Sequence, residues 1–285
     1  MPLMQIAMID DRIVDIRELD SAYMDRGTFF GDGVYEVLRS YDGRIFAIDD
    51  HLERFARSLN EIKIEGVDID QVRLRVLDAF ERASIANAKI YFHITRGSEL
   101  RSHVGSKGLK PNFFLTVTEL ADDSEKKTAG IKVATHPDWR WKRCDIKSLN
   151  LMANVLAKIE AEKTGCAEAI LVDESGYITE GAGSAFFMID TTAKTLITRP
   201  LGPEILPSIT RKVILQVAVK ASLTVTEKPI TPAQAETADE LFIAVTTQDI
   251  VPVTEFDGVT IGSGKAGKYT NILIAQFAKM VSAGI

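Results

Sequence analysis

The sequence predicts an α+β protein built from two domains. Its 285 residues are enough for two domains of ordinary size. Strand-like and helix-like stretches are interspersed, without the strict β-α-β alternation that is typical of a doubly wound sheet. A polar segment, residues 120–128, separates two strand-like runs and is interpreted as an interdomain linker. We therefore predict a smaller N-terminal α/β domain at residues 1–119 and a larger C-terminal domain at residues 129–285.

The first part of the chain combines strands with amphipathic helices. Apolar and polar residues alternate in residues 44–48 and 89–97, as in half-buried strands. Residues 49–64 are predicted to form a helix that is capped by Asp49 or Asp50. The apolar stripe of this helix consists of Leu52, Phe55, Leu59 and Ile62. A second helix is predicted near residues 68–84, with an inward face of Val72, Val76, Ala79, Phe80 and Ala83.

The second part of the chain shows the same mixture of elements. Residues 149–165 are predicted to form a helix that ends at Gly165. Short apolar runs predict strands at residues 168–173, 184–189 and 240–245. Ser208 is a natural cap for a further helix. The face of the first helix that is expected to meet the core consists of Leu151, Val155, Leu156 and Ile159.

Composition and charge exclude several classes of function. The chain has 34 basic and 40 acidic residues, and this net charge of -6 argues against nucleic acid or an anionic membrane as the main partner. No apolar run approaches the roughly 20 residues that span a bilayer. The N-terminus has no basic region and reaches Asp10 early, so we do not expect a secretory signal. Cys144 and Cys166 are expected to be free thiols in a reducing cytoplasm, and the scattered histidines predict no metal site.

One phosphate-binding motif is misleading. Residues 262–268 fit G-x-x-x-x-G-K, but Tyr269 follows where a P-loop needs Ser or Thr to hold magnesium. We therefore interpret the segment as a glycine-rich turn before a terminal helix. No G-x-S-x-G sequence is present, so the chain lacks the nucleophile elbow of a serine hydrolase.

Two charged residues are candidates for chemistry. Lys147 directly precedes an apolar helix, where burial would lower the pKa of its amine and make it a competent nucleophile. Glu180 ends a short strand and is followed by two glycines, which let backbone approach a ligand closely. A carboxylate in that setting suits a protonated heterocycle. Taken singly, each residue is also compatible with a plain structural role, a solvated lysine or a turn carboxylate.

Other segments are candidates for binding anions. The helix start at Ser208-Ile209-Thr210 and the strand end at Thr246-Thr247 both offer hydroxyl and backbone donors to a phosphate. Arg101 and His103 lie two apart on a loop and together suit a carboxylate. A helix cap, a strand-end turn and a polar loop explain the same residues without a ligand. Arg54 lies off the apolar stripe of its helix and, taken alone, reads as a solvated charge.

Taken together, these segments resemble the class IV aminotransferases, which are pyridoxal-phosphate enzymes of fold type IV. The resemblance covers nearly the whole chain, from DRGTFFGDGVYEVLR at residues 25–39 to TTQDIVPV at residues 246–253. The most specific part is the joint occurrence of KSLN at residues 147–150 and AEAILVDESGYITEG at residues 167–181. Within the family, GDGVYEV, Arg101-x-His103 and RCDIKSLNL follow the D-amino-acid transaminase branch.

The resemblance implies a role for each candidate residue. Lys147 resembles the Schiff-base lysine and Glu180 the partner of the pyridine nitrogen, and the larger domain is expected to bind the cofactor, pyridoxal 5'-phosphate. The trap for the substrate carboxylate is expected to contain Tyr35, Arg101 and His103. In the family, the Arg and His of this trap come from the other subunit, which implies a homodimer. The further cofactor-binding positions are Arg54 at the phosphate, Leu206 against the pyridine ring, and Ile209, Thr210, Thr246 and Thr247 at the phosphate.

One segment departs from the family pattern. The family usually places Ser and Asn after the glutamate, whereas this chain has Ala182, Gly183, Ser184 and Ala185. Two or more side-chain hydrogen bonds near the cofactor are therefore expected to be missing. At about 1 kcal/mol each, their loss would weaken cofactor affinity several-fold without abolishing it.

The expected activity is transamination of D-amino acids such as D-alanine or D-glutamate. The acceptor is a 2-oxo acid such as 2-oxoglutarate, in a ping-pong reaction through Lys147. The alternatives are another class IV activity, namely a branched-chain aminotransferase, an (R)-amine transaminase or an aminodeoxychorismate lyase, and a non-catalytic pyridoxal-phosphate-binding protein. The expected partners are small molecules and a second copy of the chain, in the cytoplasm and without nucleic acid or membrane.

Overall fold

The structure is a computed structural model that describes residues 5–120 and 124–283. Its strands are β1 (Ile6–Ile9), β2 (Arg12–Asp15), β3 (Gly33–Tyr41), β4 (Arg44–Ile45), β5 (Ala88–Thr95), β6 (Asn112–Glu119), β7 (Ile131–Pro137), β8 (Glu168–Val172), β9 (Ile178–Gly181), β10 (Ala185–Asp190), β11 (Thr195–Thr198), β12 (Thr224–Glu227), β13 (Glu240–Val245), β14 (Asp249–Phe256) and β15 (Val259–Thr260). Its α-helices are α1 (Arg26–Phe30), α2 (Ile48–Glu61), α3 (Ile69–Ala83), α4 (Ser124–Ala129), α5 (Met152–Lys163), α6 (Ile209–Lys220), α7 (Pro232–Glu236) and α8 (Lys268–Ser282).

The N-terminal sheet is antiparallel and has the strand order β4-β3-β5-β6. Alternate residues of β3 and β5 point toward α2 and α3, among them Val34 and Phe92, which are fully buried. The predicted stripe of α2 packs against them, with the Phe55 ring 5.0 Å from that of Phe92. The opposite face of β3, which carries Tyr35, is left to line a cavity.

The C-terminal sheet has nine strands in the order β12-β11-β10-β13-β14-β7-β8-β9, with β15 paired to β14. Its central strands β10 and β13 are buried on both faces, so each is a continuous apolar run. Helices α6 and α8 cover one face. The end strand β9 meets the segment after β12, the strand at the other end of the sheet, through a bridge between Ile178 and Ile230.

Residues 146–149 join the two sheets. The Tyr35 N–H donates to the Lys147 carbonyl and the Leu149 N–H to the Gly33 carbonyl, each at 3.0 Å. A Cβ at Gly33 would lie 2.6 Å from the Ile94 carbonyl oxygen, so glycine is required for the strands to approach this closely. The segment therefore runs beside β3 and places Lys147 between the two sheets.

The mixture of helices and sheets confirms the α+β prediction. The division at residues 120–128 stays a prediction: residues 121–123 lie outside the described part of the chain, and helix α4 occupies 124–129. Residues 262–267 form the expected turn before α8. The predicted strand at residues 44–48 is wrong beyond Ile45, because Ile48 already begins α2.

Two predictions about helices are wrong. Neither Asp49 nor Asp50 caps α2; the N-cap position is Ala47, in a left-handed conformation, and the two aspartates lie in the first turn. On α5 the predicted core face is largely exposed. The small residues Ala157 and Ala161 are buried instead, since they let the helix approach β8 closely. The larger apolar residues that remain outside are Val155, Leu156 and Ile159, at 47%, 43% and 43% exposure.

Candidate active site

A cavity of about 300 Å³ lies between the two sheets. Its walls come from β3, the segment before α5, the turn between β9 and β10, the loop before α6 and the turn after β13. The size suits a cofactor or small substrate. The predicted residues that line it are Tyr35, Arg54, Lys147, Glu180, Leu206, Thr246 and Thr247.

Lys147 carries the amine of this cavity. Its main chain is held by the bond from Tyr35 and by its own N–H, which donates to the Ser58 hydroxyl at 3.2 Å. Its Nζ lies 4.2 Å from the centroid of the Tyr35 ring, a cation–π distance. The predicted helix start at residue 149 is wrong, because α5 begins at Met152. Lys147 is half-buried and lies in the loop before this helix. The amine is thus held over one aromatic face and open to the cavity.

Glu180 lies across from it at the end of β9 and is 7% exposed. Its Oε1 accepts from Arg140 Nη1 at 2.5 Å and from the Leu206 N–H at 3.1 Å. No residue in the described ranges donates to Oε2. Burial raises the pKa of Glu180 above its ordinary value, and Arg140 opposes this shift only in part. The carboxylate is therefore oriented at one oxygen and available at the other to a cationic N–H.

Arg140 holds Glu180 in place and is itself held by Asp138, and sequence reasoning missed both residues. Arg140 donates to both carboxylate oxygens of Asp138, at 2.9 and 2.7 Å, and to the Glu204 carbonyl at 3.0 Å. Asp138 also accepts from the Thr179 hydroxyl at 2.8 Å. The signal in the sequence was a pair of opposite charges two residues apart, directly after β7.

Arg54 is buried rather than solvated, because Glu36 holds it. The guanidinium donates to both carboxylate oxygens of Glu36, at 2.8 and 2.7 Å, and to the Pro207 carbonyl at 3.0 Å. His51 contacts Glu36 through Nδ1 at 2.7 Å. Burial alone would raise the pKa of Glu36, but Arg54 and His51 outweigh it and lower the pKa to about 2. A glutamate at a core-facing position of β3 was the signal that sequence reasoning missed.

The start of α6 adds free donors beside Arg54. The Ser208 hydroxyl caps the helix by accepting from the Arg211 N–H, as predicted. The N–H groups of Ile209 and Thr210 have no acceptor among the described residues, and both side chains are buried outside the cavity lining. Only the backbone of these two residues is therefore suited to an anion. Thr246 and Thr247 face the same cavity from the turn after β13.

The segment that departs from the family pattern is held by Glu168. This buried carboxylate accepts from the Gly183 N–H at 3.3 Å and the Ser184 hydroxyl at 3.1 Å, and it pairs with Lys158 at 3.3 Å. Ser184 thus directs its hydroxyl to Glu168. Residues 181–185 line the cavity mainly through backbone and methyl groups.

Arg101 and His103 lie outside this cavity, on the exposed loop between β5 and β6. Both contact the Phe30 ring: the Arg101 Cζ is 5.0 Å from its centroid, and the His103 ring is 5.5 Å away. That these two residues bind the substrate carboxylate in the site of a neighbouring subunit stays a prediction.

Three further features concern metal ions, membranes and the cysteines. Over residues 5–120 and 124–283, no cluster of three His, Cys, Asp or Glu side chains could hold a metal ion. In those same ranges no helix is long and apolar enough to cross a membrane. Cys144 and Cys166 are free thiols, and burial raises the pKa of Cys144 to about 12.

Comparison with known proteins identifies the family. The family model for class IV amino-transferases matches residues 33–256. A D-alanine aminotransferase of Staphylococcus haemolyticus is 37% identical over 280 residues, covering 96% of this chain and 97% of the relative. One of Bacillus licheniformis is 34% identical over 286 residues, covering 96% and 99%. The solved branched-chain amino acid aminotransferase of Escherichia coli has a TM-score of 0.86 at 24% identity, covering 95% of this chain and 93% of that one, and so shows the fold. The expected fold type IV architecture is confirmed, and the chain belongs to the class IV aminotransferase family.

Proposed function

We propose that this protein is a pyridoxal-phosphate-dependent transaminase of D-amino acids. The observation that carries the proposal is that Lys147, Glu180 and Arg54 converge on one cavity. The curated relatives at 33–37% identity are D-alanine aminotransferases, which favours D-amino acids over the L-amino acids of a branched-chain enzyme. D-alanine and D-glutamate are the proposed donors and 2-oxoglutarate the proposed acceptor, in a ping-pong cycle.

The donor set of the cavity fits the cofactor group by group. The amine of Lys147 matches the aldehyde of the cofactor. The carboxylate of Glu180, which has one free oxygen, matches the ring nitrogen. The buried guanidinium of Arg54, beside the N-terminus of α6, matches the phosphate. When bound, the cofactor supplies an aldehyde that captures amines and a ring that accepts electrons from the substrate Cα. Leu206 offers an apolar surface for the ring, and Thr246 and Thr247 offer hydroxyls for the phosphate.

Each residue has a specific task in the reaction. Lys147 would take the proton from the substrate Cα and return it to the former aldehyde carbon of the cofactor, acting as base and then acid. Glu180 keeps the proton on the pyridine nitrogen, and Arg140 fixes the orientation of this carboxylate. Glu36 prevents Arg54 from leaving the phosphate end of the cavity, because the pair is buried and doubly hydrogen-bonded.

The active assembly is proposed to be a homodimer. Arg101 and His103 do not line the cavity of their own subunit, and Tyr35 alone offers no charge to a carboxylate. Apolar residues flank the pair on its loop, with Leu100 at 57% and Val104 at 84% exposure. We propose that this loop and the exposed apolar residues of α5 contact the second copy. A cytoplasmic location is proposed because both cysteines are free.

A spectral half-reaction tests the proposal. The loaded enzyme is mixed in parallel with D-alanine, L-leucine and (R)-1-phenylethylamine, and the change in cofactor absorption is followed. We expect D-alanine to react fastest. Faster reaction of L-leucine or of the amine would identify another class IV activity. Product formation from a chorismate-derived substrate without an oxo-acid acceptor would identify a lyase, and cofactor absorption without any reaction would identify a binding protein.

A further inference from the structure

The sequence DRGTFFGD at residues 25–32 is one of the features that resemble the family, yet none of the residues assigned above belongs to it. Arg26 in this segment is 3% exposed, which is rare for arginine and requires partners for its whole guanidinium. The segment lies outside the cavity that holds Lys147 and Glu180.

The partners of Arg26 lie mainly on the loop that carries Arg101 and His103. Its Nη1 donates to the Glu99 carboxylate at 2.8 Å and to the Ser102 carbonyl at 2.5 Å. Its Nη2 donates to the His103 carbonyl at 2.9 Å. Two of these acceptors are main-chain carbonyls: that of Ser102, which lies between Arg101 and His103, and that of His103 itself. The guanidinium therefore fixes the backbone from which both side chains project.

The remaining contacts make the arrangement rigid. Arg26 Nε donates to Asp32 at 2.8 Å, so the charge of Arg26 is balanced by Asp32 and Glu99. The Phe30 ring lies 5.0 Å from the Cζ atoms of both Arg26 and Arg101. The loop main chain also passes close to the two arginines at Gly105, where a Cβ would lie 3.4 Å from the Arg26 Cζ and 2.8 Å from the Arg96 Cδ.

We propose that Arg26 is a positioning residue for substrate binding: it holds the 99–106 loop so that Arg101 and His103 present one anion-binding pair to the substrate carboxylate. This inference rests on the proposed function. A planar guanidinium with donors in a fixed fork reaches these acceptors together, whereas a lysine ammonium cannot. The effect of Arg26 is on substrate affinity and not on the cofactor or the proton transfer.

The main test is Arg26→Lys in the full-length, cofactor-loaded enzyme. We expect the KM for D-alanine to rise about tenfold, as for the loss of a charge-assisted hydrogen bond, with a much smaller change in kcat. The cofactor dissociation constant, measured by absorption, should stay unchanged. Arg96→Lys is the matched control: Arg96 also binds Asp32, but its carbonyl partners are Ile62 and Lys63. This control should raise KM far less than Arg26→Lys, because the hydrogen bonds to the Ser102 and His103 carbonyls come from Arg26.

A double-mutant comparison separates positioning from general destabilisation. In an Arg101→Ala, His103→Ala background, Arg26→Lys should add less than about twofold to KM, because nothing remains to position. If Arg26→Lys does not fold, Glu99→Gln tests the same contact from the loop, with a rise of KM in the same direction. An unchanged KM in these variants, or a full additional loss in the double-alanine background, would overturn the inference while the parent enzyme still reacts with D-alanine. A parent enzyme without that reaction would overturn the proposed function and this inference with it.

Discussion

At the scale of single residues, the site is built from charges that other charges hold in place. Glu180 is oriented by Arg140, and Arg54 is fixed by Glu36. Each pair is buried, so the loss of one member leaves an uncompensated charge in a poorly solvated place. The cavity residues Glu180 and Arg54 thus depend on charged partners, and not every partner faces a ligand.

Replacing Lys147 tests the amine directly. We expect Lys147→Ala to lose more than about 10²-fold in activity, since the nucleophile and the proton carrier are one group. The visible absorption of the protein-bound cofactor should change in the same variant. Lys142→Ala, at an exposed position nearby, is the control and should match the parent enzyme. Near-normal turnover of Lys147→Ala would remove this lysine from the mechanism.

Replacing Glu180 tests the ring partner. Glu180→Gln is expected to retain the cofactor but to slow removal of the Cα proton, because a neutral amide does not stabilise a protonated pyridine as a carboxylate does. Stopped-flow measurements with D-alanine and its α-deuterated form report this step. The exposed Glu174→Gln serves as control. Equal rates in Glu180→Gln and the parent enzyme would contradict the role.

The pKa of Glu36 predicts a pH dependence of stability. The pKa of a glutamate is 4.5 in the unfolded chain, whereas the pKa of Glu36 in the folded protein is about 2. Its charge therefore stabilises the fold fully above pH 4.5, and this contribution is lost as the pH falls toward 2. Glu36→Gln should lower the free energy of unfolding at pH 7 by about 3–5 kcal/mol and flatten this acid-dependent loss. Urea unfolding at several pH values measures this dependence, and the exposed Glu53→Gln is the control. If the free energy of unfolding fell with acid as steeply in Glu36→Gln as in the parent, the prediction would be wrong.

At the scale of elements, helix α5 illustrates how packing decides which face is buried. The alanines of the helix lie against Ala169 and Leu171 of β8 and against Ala182, which lines the cavity. Because Ala157 and Ala161 are buried in a closely packed contact, we expect little room there for a larger side chain. Helix α5, which follows Lys147 in the sequence, therefore also supports the turn after Glu180.

A larger side chain in this contact should disturb both the fold and the cavity. Ala157→Leu is expected to lower the free energy of unfolding by about 1–3 kcal/mol through overpacking, and to weaken cofactor binding through Ala182. Denaturant unfolding and cofactor titration measure the two effects. Ala275→Leu on the exposed face of α8 is the matched control. Unaltered stability of Ala157→Leu would show that the contact tolerates a larger group.

At the scale of the whole molecule, the cavity contains the chemistry but not the charged pair proposed for the substrate carboxylate. Arg101 and His103 are exposed on their loop and do not line the cavity of their own subunit. Stereochemical selection would then depend on assembly. A carboxylate fixed on one side leaves one Cα hydrogen toward Lys147, which selects one enantiomer.

Mixed dimers test this arrangement. A Lys147→Ala subunit paired with an Arg101→Ala subunit should have one site with Lys147 and the partner's Arg101, and so recover activity at the parent KM. Arg101→Ala alone should raise the KM for D-alanine at least about tenfold. Co-expression with two affinity tags isolates the mixed dimer for steady-state kinetics. If Arg101 served its own subunit, the mixed dimer would show only the raised KM.

Much of the fold could be predicted because local patterns agreed with tertiary contacts. The run at residues 240–245 is β13, and Ser208 caps α6. Three of the four residues of the predicted α2 stripe are buried, and the fourth, Ile62, lies at the C-cap and is partly buried. Patterns failed where burial depended on a partner. Val155 and Ile159 of α5 have the spacing of a core stripe, yet alanines at neighbouring positions fit the sheet more closely.

The sequence by itself determined the family, the α+β class and the candidate residues, since motifs such as KSLN keep their order along the chain. Only the tertiary structure decided which charges pair. Glu36 meets Arg54, and Arg140 meets Glu180, across 18 and 40 residues of sequence. Such pairs follow from where strands and helices bring side chains within hydrogen-bond distance, and no local propensity encodes that distance. Arg26 is the same case: as one letter in a motif it has no visible role, and its buried contacts with the distant 99–106 loop exist only in the folded chain.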